Sequence, residues 1–187
     1  DRFMIKFFSI YLAFIKQQIK SLIEYKFDFL MGMTALSVQH ISIFLILFAV
    51  FTQIKTIGSY SFYEILFFYG YSQIVRGIDH VYNDNIWVVG WDKIRDGSFS
   101  KYLVRPINAV SHIIFERFQF DGFGEVIIGI FLFVFSKIQL GLVFGIKGWV
   151  IFILFLISGL IIYFAIKLIT AAIAFWTVSS GEVMIVV

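Results

Sequence analysis

Apolar residues run along this chain in long blocks, and charged residues gather between them. The clearest block is Phe29–Ile54, which holds no Asp, Glu, Lys or Arg. About 20 mostly apolar residues cross the hydrocarbon core of a bilayer, so this block predicts a first membrane helix over 29–54. A second block opens near Gly148, stays uncharged until Lys167 and continues as Leu168–Val178. It predicts a helix over 148–178, too long to cross perpendicularly, which tilts or runs past the bilayer on one side. Two weaker blocks lie between these. Ile65–Val75 is bracketed by Glu64 and Arg76, and Val126–Ser136 by Glu125 and Lys137. They predict helices over 60–82 and 118–138. A last apolar run, 183–187, reads as the start of a fifth span.

The basic residues give these helices an orientation. Arg2, Lys6, Lys16, Lys20 and Lys26 precede the first span, and only Lys55 separates the first two. Lys93, Arg95, Lys101, Arg105 and Arg117 fall between the second and third, and Lys137 and Lys147 between the third and fourth. The positive-inside rule puts the N-terminus and the middle loop in the cytoplasm. Within 1–26, Phe3, Phe7, Ile10, Phe14 and Leu22 recur at broadly helical spacing, while Lys16 and Lys20 share a face. This predicts a helix lying in the membrane interface. The repeated lysines and the polar Lys16-Gln17-Gln18 argue against a signal peptide.

The segment 83–116 is longer than a link between two spans requires. Charges alternate with apolar residues, Gly90 and Gly97 punctuate it, and Pro106 breaks or starts a helix. Trp87–Asp96 reads as a short amphipathic helix, and Ser98 as the N-cap of another beginning at Phe99. Two readings stand: an interfacial linker, or a docking surface for a soluble partner.

Composition sharpens the class. Of 187 residues, 60% are hydrophobic, 20% aromatic and 14% charged, against roughly 45–50% apolar and 25% charged in soluble domains. An ordinary water-soluble enzyme and a disordered chain are both excluded. The absence of Cys removes disulfides, thiolate metal sites and cysteine nucleophiles. The fold expected is an all-α integral membrane protein. Beginning at Asp1 and stopping in an apolar run, the chain reads as a fragment trimmed at both ends. A net charge of +3 is accounted for by a basic flank facing anionic lipid and calls for no nucleic acid.

Catalytic signatures are missing. Gly122-Phe123-Gly124 lacks the rest of a phosphate-binding loop, no His-Glu-x-x-His or Gly-x-Ser-x-Gly occurs, and His40, His80 and His112 are far apart in sequence. No catalytic, cofactor-binding or metal-ligating residue is assigned. What remains is charge near the span ends. Arg76, Asp79 and His80 are spaced to pair along one helix face, as are Arg117 and Asp121. Asp121 and Glu125 repeat four apart, and Lys167 is a candidate partner for them. Such charges face a bundle interior, a cavity or the interface rather than lipid. Ser37, Gln39 and His40 give the first span a polar face, a candidate pathway lining.

Several motifs resemble one family. They are Tyr25-Lys26-Phe27-Asp28-Phe29-Leu30 at the entry to the first span, and Tyr69-Gly70 with Gln73-Ile74-Val75-Arg76-Gly77 and Asp79 in the second. Gly97 with Tyr102-Leu103-Val104-Arg105-Pro106-Ile107-Asn108 follows in the loop, then Arg117-Phe118 with Asp121, Gly124 and Glu125, then Ala174-Phe175-Trp176-Thr177. In this order they resemble the ATP-binding-cassette type-2 (ABC-2) exporter permeases, in a six-span branch with a type V exporter-like fold. Ala109 stands where that branch carries a proline. The resemblance implies a permease subunit that pairs with a second permease, identical or homologous, in a bacterial cytoplasmic membrane. It implies two separate cytoplasmic ATPase subunits, which hold the ATP and magnesium. The middle loop would carry the coupling helix, with Trp91, Asp92, Lys93, Arg95 and Asp96 near the docking surface and Arg105, Pro106 and Asn108 shaping the segment after it. Rival readings are an ATP-independent secondary transporter or channel, a membrane-embedded lipid-modifying enzyme, and a structural membrane protein.

Overall fold

The structure, a computed structural model, describes residues 26–105 and 108–184 together with Lys16 and Lys20. The interfacial helix expected over 1–26 therefore lies outside the described residues except at Lys16, Lys20 and Lys26. Pro106 and the last residues of the expected fifth span, 185–187, are outside them too.

The described residues are almost entirely helical. Helix α1 is Lys26–Gln53, α2 is Phe62–Asn83 and α3 is the single turn Asn85–Val88. A π-helical turn, Val89–Lys93, follows directly. Then come α4 (Ser100–Leu103), α5 (Ala109–Glu116), α6 (Gly122–Gln139), α7 (Ile146–Thr177) and α8 (Gly181–Met184). Among the described residues, three helices are long and apolar enough to cross a membrane: Leu30–Gln53 of α1, α6 and α7. With this helical architecture the chain is an all-α integral membrane protein. At 32 residues α7 is about 48 Å long, well beyond the ~30 Å of a hydrocarbon core.

The chain packs as two units. One is Phe27–Ile78 with Phe120–Leu160. Here α2 is the interior helix. Its entry is a capping box: the Ser61 backbone N–H donates to Glu64 Oε2 at 2.8 Å, and the Glu64 N–H reaches Ser61 Oγ at 3.4 Å. Phe44, Phe48 and Phe51 of α1 set their rings against Phe62. Tyr71 donates to the Phe155 carbonyl of α7 at 2.8 Å. Against α6 the approach is backbone to backbone. A Cβ on Gly70 would fall 2.5 Å from Phe133 N, one on Gly77 2.7 Å from Val126 N, and one on Gly129 2.7 Å from Ile74 N. Only glycine permits this separation. By contrast α1 and α7 turn large apolar side chains outward, among them Leu45, Ile46, Leu154 and Phe155, as lipid-facing helices do.

The other unit is built around Asp79–Gln119 and Ile161–Val187. It has its own apolar core of Ile86, Val89, Tyr102, Ile113 and Ala171, with Trp87, Phe99 and Phe164 packed against it. The middle loop is thus a folded body, closed by the last turns of α7. Asn85 Nδ2 donates to the Ile113 carbonyl, tying α3 to α5, and the Gln119 N–H donates to Val81 O at 3.2 Å.

Several boundaries differ from the sequence-based expectation. The amphipathic stretch expected over Trp87–Asp96 is one α-turn followed by the π-turn. Ser98 does not cap the next helix; the cap position is Phe99. Asp96 Oδ1 accepts the Ser98 N–H at 2.9 Å, and Gly97 turns with φ +74°, which delays the helix to Ser100. The helix expected from 118 begins at Gly122 because Arg117 is extended, with φ −148° and ψ 129°.

Candidate coupling site

Asn108 starts α5. Its Oδ1 accepts the N–H groups of Val110 at 3.0 Å and Ser111 at 3.3 Å, satisfying donors that a helix start leaves open. With Asn in that role, Ala109 fits at the first helical position. At the other end of α5, Glu116 accepts from Lys101 Nζ at 2.6 Å and from the Tyr102 hydroxyl. Burial opposes ionisation of Glu116, yet these two bonds and the Lys101 charge hold its carboxyl below the usual glutamate range. The same burial and the facing carboxylate push the Tyr102 phenol up. His112 is buried beside the Tyr102 ring, 5.0 Å between centroids, and its Nε2 is 3.2 Å from Arg105 Nη1. Arg can only donate, so Nε2 accepts and the imidazole is neutral. Burial, then the Arg105 charge, keeps it below its ordinary range.

The outer rim of this body is charged. Arg95 Nη2 bonds Asp92 Oδ1 at 2.7 Å, both side chains open to solvent. Asp96 is exposed, Lys93 is half-buried, and Trp91 keeps 39% of its surface exposed. Such exposed pairs add little stability; their value is as a surface. The inner side of the turn is engaged. The Ser180 N–H donates to Gly90 O at 2.8 Å, and Gly181 lies so close to the Trp91 ring that a Cβ there would strike it.

At the root of the loop is a buried ion-pair network. Lys167 Nζ of α7 meets Asp79 Oδ2 at 2.5 Å and Asp84 Oδ1 at 3.0 Å. Asn83 Nδ2 donates to Asp79 Oδ1 at 2.9 Å, and His80 Nε2 is 3.7 Å from Asp84 Oδ2. Two carboxylates on one buried ammonium satisfy it only while all three are held together.

The unit containing α2 has a second polar set. Arg76 Nε is 3.7 Å from Glu125 Oε2, whose side chain is fully buried. His40 Nδ1 and Tyr69 Oη are 2.9 Å apart. Tyr69, Gln73 and Arg76 follow at helical spacing on α2, and His40 Nε2 and Gln73 Oε1 are buried without a hydrogen-bond partner. Among the described residues no group of His, Asp and Glu could hold a metal.

The family model described as ABC-2 family transporter protein matches residues 36–187. The chain belongs to the ABC-2 transporter family. Neither a curated protein nor a solved structure matches it. Membership makes this a membrane transport permease.

Within the ABC-2 chain the candidate residues separate into distinct places. Trp91, Asp92 and Lys93 lie on the π-turn, with Arg95 and Asp96 just after it and Arg95 paired to Asp92. Arg105 stands on His112, Asn108 caps α5, and Pro106 is outside the described residues. Arg76, Asp79 and His80, expected to pair along one helix, each meet another residue: Glu125, Lys167 and Asp84. Lys167 serves Asp79 and Asp84, where Asp121 and Glu125 were its expected partners. Arg117 and Asp121 do not share a helix, because the chain is extended at Arg117 and α6 opens after Asp121. On α1, His40 is buried and Gln39 exposed, while the Ser37 hydroxyl donates to Met33 O at 2.8 Å. Residues two apart on a helix point apart, so Gln39 does not share the face of the other two. Sequence reasoning passed over Asp84, Glu116, Ser180 and Gly181, and named Tyr69 and Gln73 only within a motif, with no role. The repeats Gly70…Gly77 and Gly122…Gly129, each seven apart, were the one available signal of close helix packing.

Proposed function

We propose that this permease is the membrane subunit of an ATP-driven exporter, coupled through its middle loop to a separate cytoplasmic ATPase. The observation that carries the reading is the loop unit itself. A segment with its own apolar core, its own N-cap and an outward charged rim is built to bear load, and a plain connection between spans needs none of these. Asp92, Lys93, Arg95 and Asp96, with Trp91 at their edge, are the docking rim; a mixed-sign surface around an exposed Trp suits a protein partner. Arg105 and Asn108 shape the segment behind it. ATP and magnesium bind to the ATPase, and this chain performs no catalysis.

In this reading α2 is the span that carries the polar interior, with α1, α6 and α7 around it. A second permease chain, identical or homologous, covers the face of α1 that presents Gln39, and substrate passes along that junction; His40 and Ser37 support it from the other side of α1. The N-terminus and the loop are cytoplasmic, following the basic residues, in a bacterial inner or plasma membrane. ATP-driven closure of the ATPase pair pushes the rim, and the loop unit shifts as a rigid body.

The test is a mild-detergent pull-down of the full-length protein, compared with Asp92, Lys93, Arg95 and Asp96 all replaced by Ala. A stoichiometric ATPase that disappears in the variant is the expected result. An ATPase that stays bound refutes the rim, and its absence from the native protein refutes ATP coupling.

A further inference from the structure

The π-turn Val89–Lys93 has two sides, and the proposed docking uses only one. Its inner side grips the chain that leaves α7. Gly90 O takes the Ser180 N–H at 2.8 Å, and the Gly181 backbone rests against the Trp91 indole. Ser180 is 2% exposed. A π-turn shifts its carbonyls out of α-helical register, which leaves Gly90 O available to a donor from outside the helix. On the other strand of the contact, Val178 takes φ 69°, a left-handed conformation that a β-branched residue rarely adopts. It reverses the chain immediately after α7, and Thr177 Oγ1 holds that reversal by donating to Ser179 O at 2.9 Å. The sharp turn is what delivers Ser180 and Gly181 to the π-turn.

The bed beneath is continuous. Ala171 and Ala174 of α7 are buried, the first within the loop core, and Phe175 meets Phe99 edge-on at 4.9 Å.

We propose that Gly90 and Trp91 form a latch on Ser180 and Gly181, so that a push on the loop reaches the chain leaving α7 as well as the two helices the loop joins. This rests on the coupling role given above. Trp91 is then a two-faced residue, one edge at the docking rim and the ring on Gly181. Gly181 is a positioning residue: any side chain there lifts the segment off the ring.

These 187 residues contain no cysteine, so once any thiol elsewhere in the full-length permease and its ATPase is replaced by Ser, an introduced thiol reports alone. The first experiment places a polarity-sensitive fluorophore on Glu182→Cys, an exposed position, in the full-length permease with its co-purified ATPase. Trapping the ATPase with magnesium, ATP and vanadate shifts the emission in the otherwise native protein. Gly181→Val, away from the docking rim, loses the shift while the ATPase still co-purifies. A shift that persists in Gly181→Val overturns the proposal. The second experiment uses Gly90→Cys with Ser180→Cys. Mild oxidation joins them, and the joined protein still hydrolyses ATP and still shows the shift on trapping. No disulfide, or a disulfide that blocks the shift, overturns the latch. A native preparation with no ATPase overturns the coupling role and the force transfer with it, while disulfide formation separately reports whether the contact exists.

Discussion

Replacing Gly129 by Ala tests the packing of α2 on α6. The new Cβ would stand 2.7 Å from Ile74 N, 2.9 Å from Gly70 O and 3.0 Å from Gln73 C. All three are backbone atoms, so no rotamer change relieves the contact. To bring 2.7 Å up to the 3.4 Å of ordinary contact, the helices must part by about 0.7 Å. Overpacking of this kind costs about 1–3 kcal/mol, and helix propensity returns about 1 kcal/mol for Gly→Ala. The net expectation is a loss of up to about 2 kcal/mol. For a chain of this size that is a fall in Tm of up to about 8 °C. Gly148→Ala is the matched control, because its Cβ would meet only the Phe144 side chain, at 3.3 Å; there the propensity gain dominates and Tm rises. Thermal denaturation in detergent, followed by the fraction remaining monodisperse, reads both. A second test lies in the pair: Gly70→Ala strains the same seam, since its Cβ would meet Gly129 O at 3.0 Å. Once one alanine has parted the helices the other costs less, so the double variant loses less than the two singles together. Gly129→Ala as stable as Gly148→Ala, or strictly additive losses, would refute the seam.

Two further outcomes follow from the charges. Lys167→Met leaves Asp79 and Asp84 without their shared cation and lowers stability by about 3–5 kcal/mol; adding Asp79→Asn recovers part of the loss, and the same detergent denaturation series reads both variants. Glu116 has a depressed folded-state pKa, so its stabilisation is full above the ordinary glutamate value of 4.5 and fades as pH falls through the lower folded value. A pH series of Tm for native protein and Glu116→Gln should show a gap that is widest above that value and closes in acid; a gap independent of pH refutes the assignment.

The sequence made some of this legible and hid the rest for identifiable reasons. The all-α membrane class was readable because α1 and α7 face outward and carry the apolarity of lipid. α2 was harder: Gln73 and Asp79, both buried, and Arg76, which pairs with the buried Glu125, cost it hydropathy. The charged rim was visible as alternating charge around Trp91, Asp92 and Lys93. The partners of Lys167 were not, because Asp79 and Asp84 lie more than eighty residues away and only folding joins them. Spacing along one helix suggested Arg76 with Asp79, whereas packing gave each a residue on another helix. The latch had no sequence signal beyond Gly90, Trp91 and Gly181, since its Gly90–Ser180 bond runs backbone to backbone and does not depend on side-chain identity.

The interior position of α2 also has a consequence for assigning sides. An inventory made by apolarity finds α1, α6 and α7 and passes over α2. It counts one crossing between the N-terminal segment and the loop, so it assigns them opposite sides of the bilayer. Including α2 makes the count even and returns both to one side. Everything after the loop inherits that parity. A reporter fused at Gly97 and another ahead of Lys26 would read it directly, and the helix that apolarity passes over would decide the topology of the whole chain.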